Sequence, residues 1–497
     1  MMPQLHDSGS RAIQPSDQTH QHDFARIFGI ETEYGVSVTD IPEPMDASHV
    51  AMTMFQPVVR RARSTNTYVE NGSRLYLDVG SHPEYATAEA ICPSDALLSD
   101  LAGEQTMRSM GLDAQRRLRE SDAQNRHATL HLYKNNADSA GHSFGCHENY
   151  LVRRFVNLDM IQHVLLPFLI TRQIYTGAGR FDGERLLFTQ RAAFVDETVS
   201  SATTRSRPMI NTRDEPHANP DDYRRLHVII GDSNRSQWAT LMKCATTHLV
   251  LCMMEHAARS GCETELEAFA LADPIAANHA INTDGAHARI ALAAGRSTTA
   301  LELQQMMLEQ VESFAAHHGD ALEASLRYDA LCNVEWIVGQ WRWVLDRLAA
   351  NDIETLSHVV DWASKQVFFN RLQSRGTVTP ARLRQLDLDY HDIANGRLYP
   401  SLCAHGLMRT LVDADQIHDA VSTPPPHTRA VLRGRFVAAA SHTDAVYDCD
   451  WTTLKLVRPV HMEAVLLDPF HDEPTKQYDK LMGELGDARA DGDEAPV

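Results

Sequence analysis

No run of about 20 uninterrupted apolar residues occurs in this 497-residue chain, so it offers no candidate membrane helix. Its most apolar helical segment, Trp238–His256, still contains Lys243, His248 and Glu255. The eight cysteines are scattered without one C-x-x-C pair, which fits neither a disulfide framework nor a zinc site. Unpaired thiols suit a reducing compartment, and a cytoplasmic location is expected. Residues 1–23 are polar and lack an apolar h-region, so they read as a disordered N-terminal extension rather than a signal peptide. The G-x-x-x-x-G-K-[ST] loop is missing, and Gly177, Gly179 and Gly183 miss the dinucleotide spacing by one residue. Any nucleotide is therefore held by neither a P-loop nor a Rossmann turn. H-E-x-x-H and Gly-x-Ser-x-Gly are absent too.

Basic charge is also in short supply. With 66 acidic against 46 basic residues the formal net charge is −20, which argues against nucleic acid or an anionic membrane as the main partner. The arginines that exist are clustered: Arg60, Arg61 and Arg63; Arg153 and Arg154; Arg205, Arg207 and Arg213; Arg224 and Arg225. Such local patches fit a phosphate ligand or an acidic polypeptide. The first two clusters, taken alone, read as solvated surface arginine.

What is present is a globular composition, 43% hydrophobic, long enough for a large catalytic domain and a smaller one. Strands are expected over 24–40, 129–136, 185–193 and 225–231. Helices are expected over 50–64, 94–121 and 161–175, and through most of 236–375. Pro424-Pro-Pro426 marks a boundary. The expected division is a 1–23 extension, a 24–423 catalytic domain, a small 424–475 domain with strands near 450–456 and 465–470, and an acidic 476–497 tail.

The densest chemistry lies in Asn71-Gly-Ser-Arg-Leu-Tyr-Leu-Asp-Val-Gly-Ser-His-Pro-Glu-Tyr-Ala-Thr-Ala-Glu89. In a strand, side chains alternate faces, so Arg74, Tyr76 and Asp78 share one side while Leu75 and Leu77 take the other. Glu84 and Thr87 follow a Gly-Ser-His-Pro turn. Upstream, Glu31 and Glu33 share a face opposed by Ile30, Thr32 and Tyr34. Two acidic strands near one another suit a hard divalent cation and phosphate chemistry. Alternating glutamates on one strand are by themselves an ordinary wet face; the company of Arg74, Tyr76 and Asp78 is what favours a site.

Arg205, Arg207 and Arg213 offer bidentate donors for a transferred phosphoryl group, with ion pairing to Asp214, Glu215, Asp221 and Asp222 an equal alternative. His147 and His227 are ranked as supporting residues, since a lone histidine is more often structural. Trp451 reads either as a stacking surface for adenine or as a core residue.

Together with Gly29-Ile-Glu-Thr-Glu-Tyr-Gly35, Leu132–Asn136, His147–Tyr150, Ser200–Pro208, Asn211–His217, Leu226–Asn234 and Leu386–Asp392, the Asn71–Glu89 segment closely resembles the Pup–protein ligases. These are carboxylate–amine ligases related to glutamine synthetase. The resemblance covers about residues 24 to 475 through long, gap-free motifs. It implies an α+β fold: a glutamine synthetase-like curved, largely antiparallel sheet forming a cradle, backed by helices, with a small C-terminal domain. It implies ATP-dependent joining of the C-terminal glutamate side chain of the acidic modifier Pup to lysine ε-amines of target proteins, through a γ-glutamyl phosphate, marking targets for proteasomal degradation. Carried over by motif, Glu31, Tyr76 and Glu84 are magnesium ligands, Arg74, Thr87 and Trp451 contact ATP, and Asp78 is the general base. Glu33, His147, Arg205, Arg207, Arg213 and His227 stand near that set with less definite roles.

The sister group, Dop-like Pup deamidases and depupylases, resembles the same Glu, Tyr and Asp positions. The short connector between the first two motifs and the wording of Leu77–Pro83 and Ser200–Pro208 favour the ligase. A small-molecule ligase of the glutamine synthetase kind and a non-catalytic Pup-binding adaptor are the remaining alternatives; the intact acidic set argues against the adaptor.

Overall fold

In the computed structural model, which describes residues 24–78, 80–138, 141–200, 208–211 and 214–492, the alternating strands assemble into one eight-stranded sheet. In chain order its strands are β1 (Phe28–Glu33), β2 (Asn66–Tyr68), β3 (Arg74–Leu77), β4 (Pro83–Ala86), β5 (Cys146–Arg153), β6 (Glu197–Ser200), β7 (Pro208–Asn211) and β8 (Tyr223–Val228). Their spatial order is β6-β7-β8-β5-β1-β4-β3-β2. Every pairing is antiparallel except β6 with β7, so the largely antiparallel sheet that the resemblance implies is present.

Register decides which residues meet. Glu33 stands opposite Glu84 and Glu84 opposite Tyr76, while Glu31 stands opposite His147. Asn149 pairs with His227 across β5 and β8. These side chains occupy one face. The other face presents Phe28, Ile30, Tyr150, Val152, Leu226 and Val228 to the main hydrophobic core.

Helices cover that apolar face. The helix Gln237–Ser260 starts at Ser236, whose hydroxyl accepts from the Ala239 N–H, and stops at Gly261 in the left-handed region. It is buried around most of its circumference, which is why its sequence is apolar yet too interrupted for a membrane span. Arg26 reaches it from the sheet, pairing with Glu255 at 2.8 Å with both groups buried. The helix Pro93–Ser121 lies against Tyr85 of β4, and Gly103 makes that approach possible. A Cβ at Gly103 would sit 2.3 Å from the Tyr85 ring.

The chain from Phe28 to Thr39 forms two strands, not one. Gly35–Thr39 leaves the large sheet and pairs with Thr129–Tyr133 instead. Over 185–193 only Leu186–Leu187 is a strand. Side chains take the backbone donors there: the Gln190 N–H goes to the Asp232 carboxylate at 2.9 Å and the Thr189 N–H to Asn282 at 3.1 Å. Within the helical stretch 236–375 a small hairpin joins Arg289–Ala291 to Ser297–Thr299.

The C-terminal module is a three-stranded antiparallel sheet, β9 (Val446–Cys449), β10 (Thr453–Arg458) and β11 (Met462–Val465), packed on the helices Ala430–Ser441 and Lys476–Gly492. One expectation changes here. The last strand ends at Val465, and beyond it the Leu466 and Leu467 carbonyls accept from the Arg429 guanidinium. The acidic stretch from 476 begins as a helix, anchored by Tyr478, Leu481 and Leu485 against Leu432, Phe436 and Leu454. Three apolar residues at helical spacing give it a buried stripe that its overall acidity hides.

Candidate active site

Strand register, not sequence proximity, builds the site. Glu31 and Glu33 come from β1, Glu84 from β4, Arg74 and Tyr76 from β3, His147 and Asn149 from β5, and Arg225 and His227 from β8. Asp78 follows β3 by one residue and enters a tight turn in which Gly80 and Ser81 have positive φ and the Ser81 N–H donates to the Asp78 carbonyl at 2.9 Å. The turn returns the chain into β4 with Asp78 beside Glu84.

The acidic groups fall into two sets. Carboxylate oxygens of Glu33, Asp78 and Glu84 all lie within 4.8 Å of one another. So do a Glu31 carboxylate oxygen and ring nitrogens of His147 and His227. The Tyr76 hydroxyl donates to Glu84. Burial and the neighbouring charges of Glu31 and Glu33 push the Glu84 carboxyl well above the usual range. Burial, Glu84 and Glu31 likewise push the Tyr76 phenol up, which keeps it protonated.

Glu31 behaves in the opposite way. Burial works against its charge, but the hydrogen bond with His147 and the surrounding cationic groups outweigh it and hold the carboxyl low. His147 Nδ1 lies 3.3 Å from Glu31 Oε2, the Asn149 amide donates to Oε1 at 3.1 Å, and the Arg225 guanidinium is 3.5 Å away. His227 Nε2 is 3.6 Å from Oε2, and burial lowers the His227 pKa to about 3, so this ring is neutral at pH 7. Neutral imidazole nitrogens and carboxylates are ordinary ligands for divalent ions.

Beside Glu31 the sheet opens into a cleft lined by Gly29, Thr87, Asn149, His217, Arg225 and Trp451. Thr87 is fixed by a reciprocal pair: its hydroxyl accepts from the Ile30 N–H at 3.0 Å, and its own N–H donates to the Ile30 carbonyl at 2.9 Å. Trp451 stands edge-on to Tyr68 at 5.2 Å, with its ring 6.3 Å from His217. Arg74 lies over the Tyr76 ring at 4.3 Å, its Nε bonded to Asn66 at 2.7 Å. The apolar floor and cationic rim suit a flat heterocycle joined to an anionic group.

The structure thus gathers Glu31, Glu33, Arg74, Tyr76, Asp78, Glu84, His147 and His227 on one face of the sheet, with Thr87 and Trp451 lining the cleft beside Glu31. Arg205, Arg207 and Arg213 lie outside the described residues. The two histidines are closer to the centre than their sequence setting implies, each directly beside Glu31. Sequence reading does not single out Asn149 as a partner of Glu31. Its signal is the alternation His147-x-Asn149, which puts both side chains on the face of Glu31.

A family model described as Pup-ligase protein matches residues 26–455. The chain belongs to the Pup-ligase family. Among curated relatives, the Pup–protein ligase of Bifidobacterium longum (strain NCC 2705) is 57% identical over 490 residues, covering 97% of this chain and 100% of the relative. The Pup–protein ligase of Arthrobacter sp. (strain FB24) is 42% identical, covering 93% and 99%. Of solved structures, the complex between the prokaryotic ubiquitin-like protein Pup and its ligase PafA matches with a TM-score of 0.84 at 35% identity, covering 94% of this chain and 93% of that one. The Pup ligase PafA in complex with ADP matches with a TM-score of 0.75 at 35% identity, covering 88% and 94%.

Proposed function

We infer that this protein is an ATP-dependent ligase that joins the side-chain carboxylate of the C-terminal glutamate of Pup to lysine ε-amines of target proteins. The observation that carries the reading is that a cleft lined by Glu31, Thr87, Arg225 and Trp451 adjoins a cluster of three carboxylates, Glu33, Asp78 and Glu84, whose Glu33 shares β1 with Glu31. Near-full-length relatives bear the name of that activity, and two solved neighbours hold Pup and ADP.

A free carboxylate is a poor acyl donor. In the first step an oxygen of the Pup glutamate attacks the γ-phosphorus of ATP, releasing ADP and leaving a γ-glutamyl phosphate. Thr87 and Trp451 would hold the nucleoside end in the cleft, and Arg74 would meet the phosphate charge with fixed donors. In the second step the lysine nitrogen attacks the acyl carbon and phosphate leaves. A lysine amine with a pKa of ~10.4 is mostly protonated at neutral pH, so a base must take its proton. Asp78, at the strand end beside Glu84, would take that proton.

The donor set fits magnesium. By motif Glu31, Tyr76 and Glu84 would hold it, with Glu33 and Asp78 beside Glu84 and with His147 and His227 beside Glu31; the Glu84 carboxyl, raised by burial and by Glu31 and Glu33, is one that a divalent cation would stabilise in its charged form. When bound, the ion would offset charge on the transferred phosphoryl group. The clustered arginines would receive the acidic Pup chain. Among the described residues no helix is long and apolar enough to cross a membrane. Eight free cysteines support a reducing, cytoplasmic setting.

The test is a gel-shift assay with the purified chain, Pup ending in glutamate, a lysine-bearing acceptor, ATP and magnesium, run beside a preformed Pup conjugate. An ATP-dependent Pup–acceptor band without conjugate cleavage is expected. Cleavage with no ligation would move the chain to the depupylase side, and silence in both arms would overturn the enzymatic reading.

A further inference from the structure

Two residues beyond Thr87, the chain buries a carboxylate that the reaction does not use. Glu89 is 7% exposed and takes two arginines of the C-terminal module at once. Arg429 Nε donates to its Oε1 at 2.7 Å, and Arg433 donates to both oxygens. The Thr428 hydroxyl also donates to the Glu89 carbonyl, at 3.0 Å. One carboxylate thus faces two guanidinium groups that are themselves 2% and 0% exposed. Burying a second cation costs more than one anion offsets, unless every remaining donor finds an acceptor.

Several of the remaining donors go to the cleft wall and to the chain beside it. Arg429 Nη1 donates to the His217 carbonyl at 2.5 Å and to the Leu466 carbonyl at 2.9 Å. Arg433 Nη1 donates to the Trp451 carbonyl at 3.1 Å, and its guanidinium lies 4.9 Å from the Trp451 ring centre. Arg433 Nε donates to the Gly72 carbonyl at 2.9 Å, in the turn that precedes Arg74. The cleft wall at His217 and Trp451 and the entry to β3 are thus held against one side chain, which follows Thr87 by two residues.

We propose that Glu89 is a positioning residue of the nucleotide cleft: through Arg429 and Arg433 it sets where Trp451 and His217 stand relative to Thr87. This rests on the ligase reading above, in which Trp451 and Thr87 contact ATP. Glu89 and Arg429 line the cleft, but both Glu89 oxygens are taken by the two arginines, so its effect falls on nucleotide binding through them rather than on the proton transfer assigned to Asp78. A mere stabilising tie would loosen every substrate alike; a positioning residue acts on one.

The experiment compares Glu89→Gln, which keeps the volume and removes the charge, with the unaltered chain. ADP affinity is measured by calorimetry, and the KM values for ATP and Pup in the ligation assay. Glu89→Gln should weaken ADP binding and raise the KM for ATP by about tenfold or more, an effect expected of small misplacement of a binding wall. The KM for Pup should stay within about twofold, and Glu89→Asp should recover part of the loss, since a carboxylate is restored on a shorter arm. Unchanged ADP affinity in a folded Glu89→Gln protein overturns the proposal. So does a parallel loss of ADP and Pup affinity. If Glu89→Gln does not fold, Arg433→Lys keeps the charge pair while losing the forked donors to Gly72 and Trp451, and it must show the same nucleotide-selective defect or the proposal fails. Calorimetry with ADP needs no turnover, so failure of the ligase assignment, seen as no conjugate from the unaltered chain, stays separate from failure of this one.

Discussion

Asp78 and Glu84 illustrate how neighbouring carboxylates divide their work by environment. Burial and the charges of Glu31 and Glu33 push Glu84 upward, and the Tyr76 hydroxyl donates to it. Asp78 lies at the end of β3, where the turn through Gly80 and Ser81 brings it to the mouth of the site. Asparagine at position 78 keeps the shape and loses the basic oxygen. Asp78→Asn should therefore bind ADP as the unaltered chain does and yet form conjugate at least about 100-fold more slowly, the usual worth of a positioned base. Equal ligation rates in a single-turnover assay would remove Asp78 from that role. Trp451 calls for a different readout. If its face carries the adenine, Trp451→Ala should cost about 1–3 kcal/mol in ADP binding. Trp451→Phe should recover most of it. Calorimetry giving the same affinity for all three proteins would return Trp451 to a purely packing role against Tyr68.

At the scale of the strand, the two faces make separable predictions. Ile30 is 3% exposed within the main core, whereas Arg74 is on the opposite face, half-buried at the edge of the site. Ile30→Ala should lower unfolding free energy by about 2–5 kcal/mol in urea titrations, through lost burial and the cavity left behind. Nucleotide affinity of the folded fraction should hardly change. Arg74→Ala should do the reverse, weakening ADP binding with little effect on the urea midpoint. If both variants lose stability and affinity together, the division of labour between faces is wrong. This alternation is also what made β1 and β3 legible in sequence, since period-two patterning in Glu31-x-Glu33 and Arg74-x-Tyr76 states which residues share a side. The strand expected over 185–193 misleads for the complementary reason. Its backbone donors are satisfied by Asp232 and Asn282, residues 42 and 93 positions away, which no local pattern can reveal. The Glu89 cluster is equally silent in sequence, because its arginines lie 340 and 344 positions downstream.

For the molecule as a whole, the seam between the large sheet and the C-terminal module is where acid should act. His217 lines the cleft at that seam, with the Arg429 guanidinium bonded to its carbonyl. Burial, then the cationic charges of Arg225 and Arg429, lower its pKa from 6.5 to about 4. The unfolded chain therefore takes up a proton at His217 between about pH 6.5 and 4 that the folded chain refuses. Stability from this residue is fully present above pH 6.5 and drains away as the pH falls through that window. The sign is that of a depressed folded-state pKa, and a shift of this size corresponds to roughly 3 kcal/mol at most, less in proportion to the part of the ring that water still reaches. Glu89, held at about 2 against burial by Arg433 and Arg429, adds a second loss at lower pH, as the solution passes from 4.5 toward 2. Replacing His217 by Asn removes the first component and leaves the second. Urea titrations at pH 7.5 and pH 5 should accordingly show a smaller drop in unfolding free energy for His217→Asn than for the unaltered chain. An identical drop in both would mean that the imidazole is free to protonate in the folded protein, and that the seam is open to water.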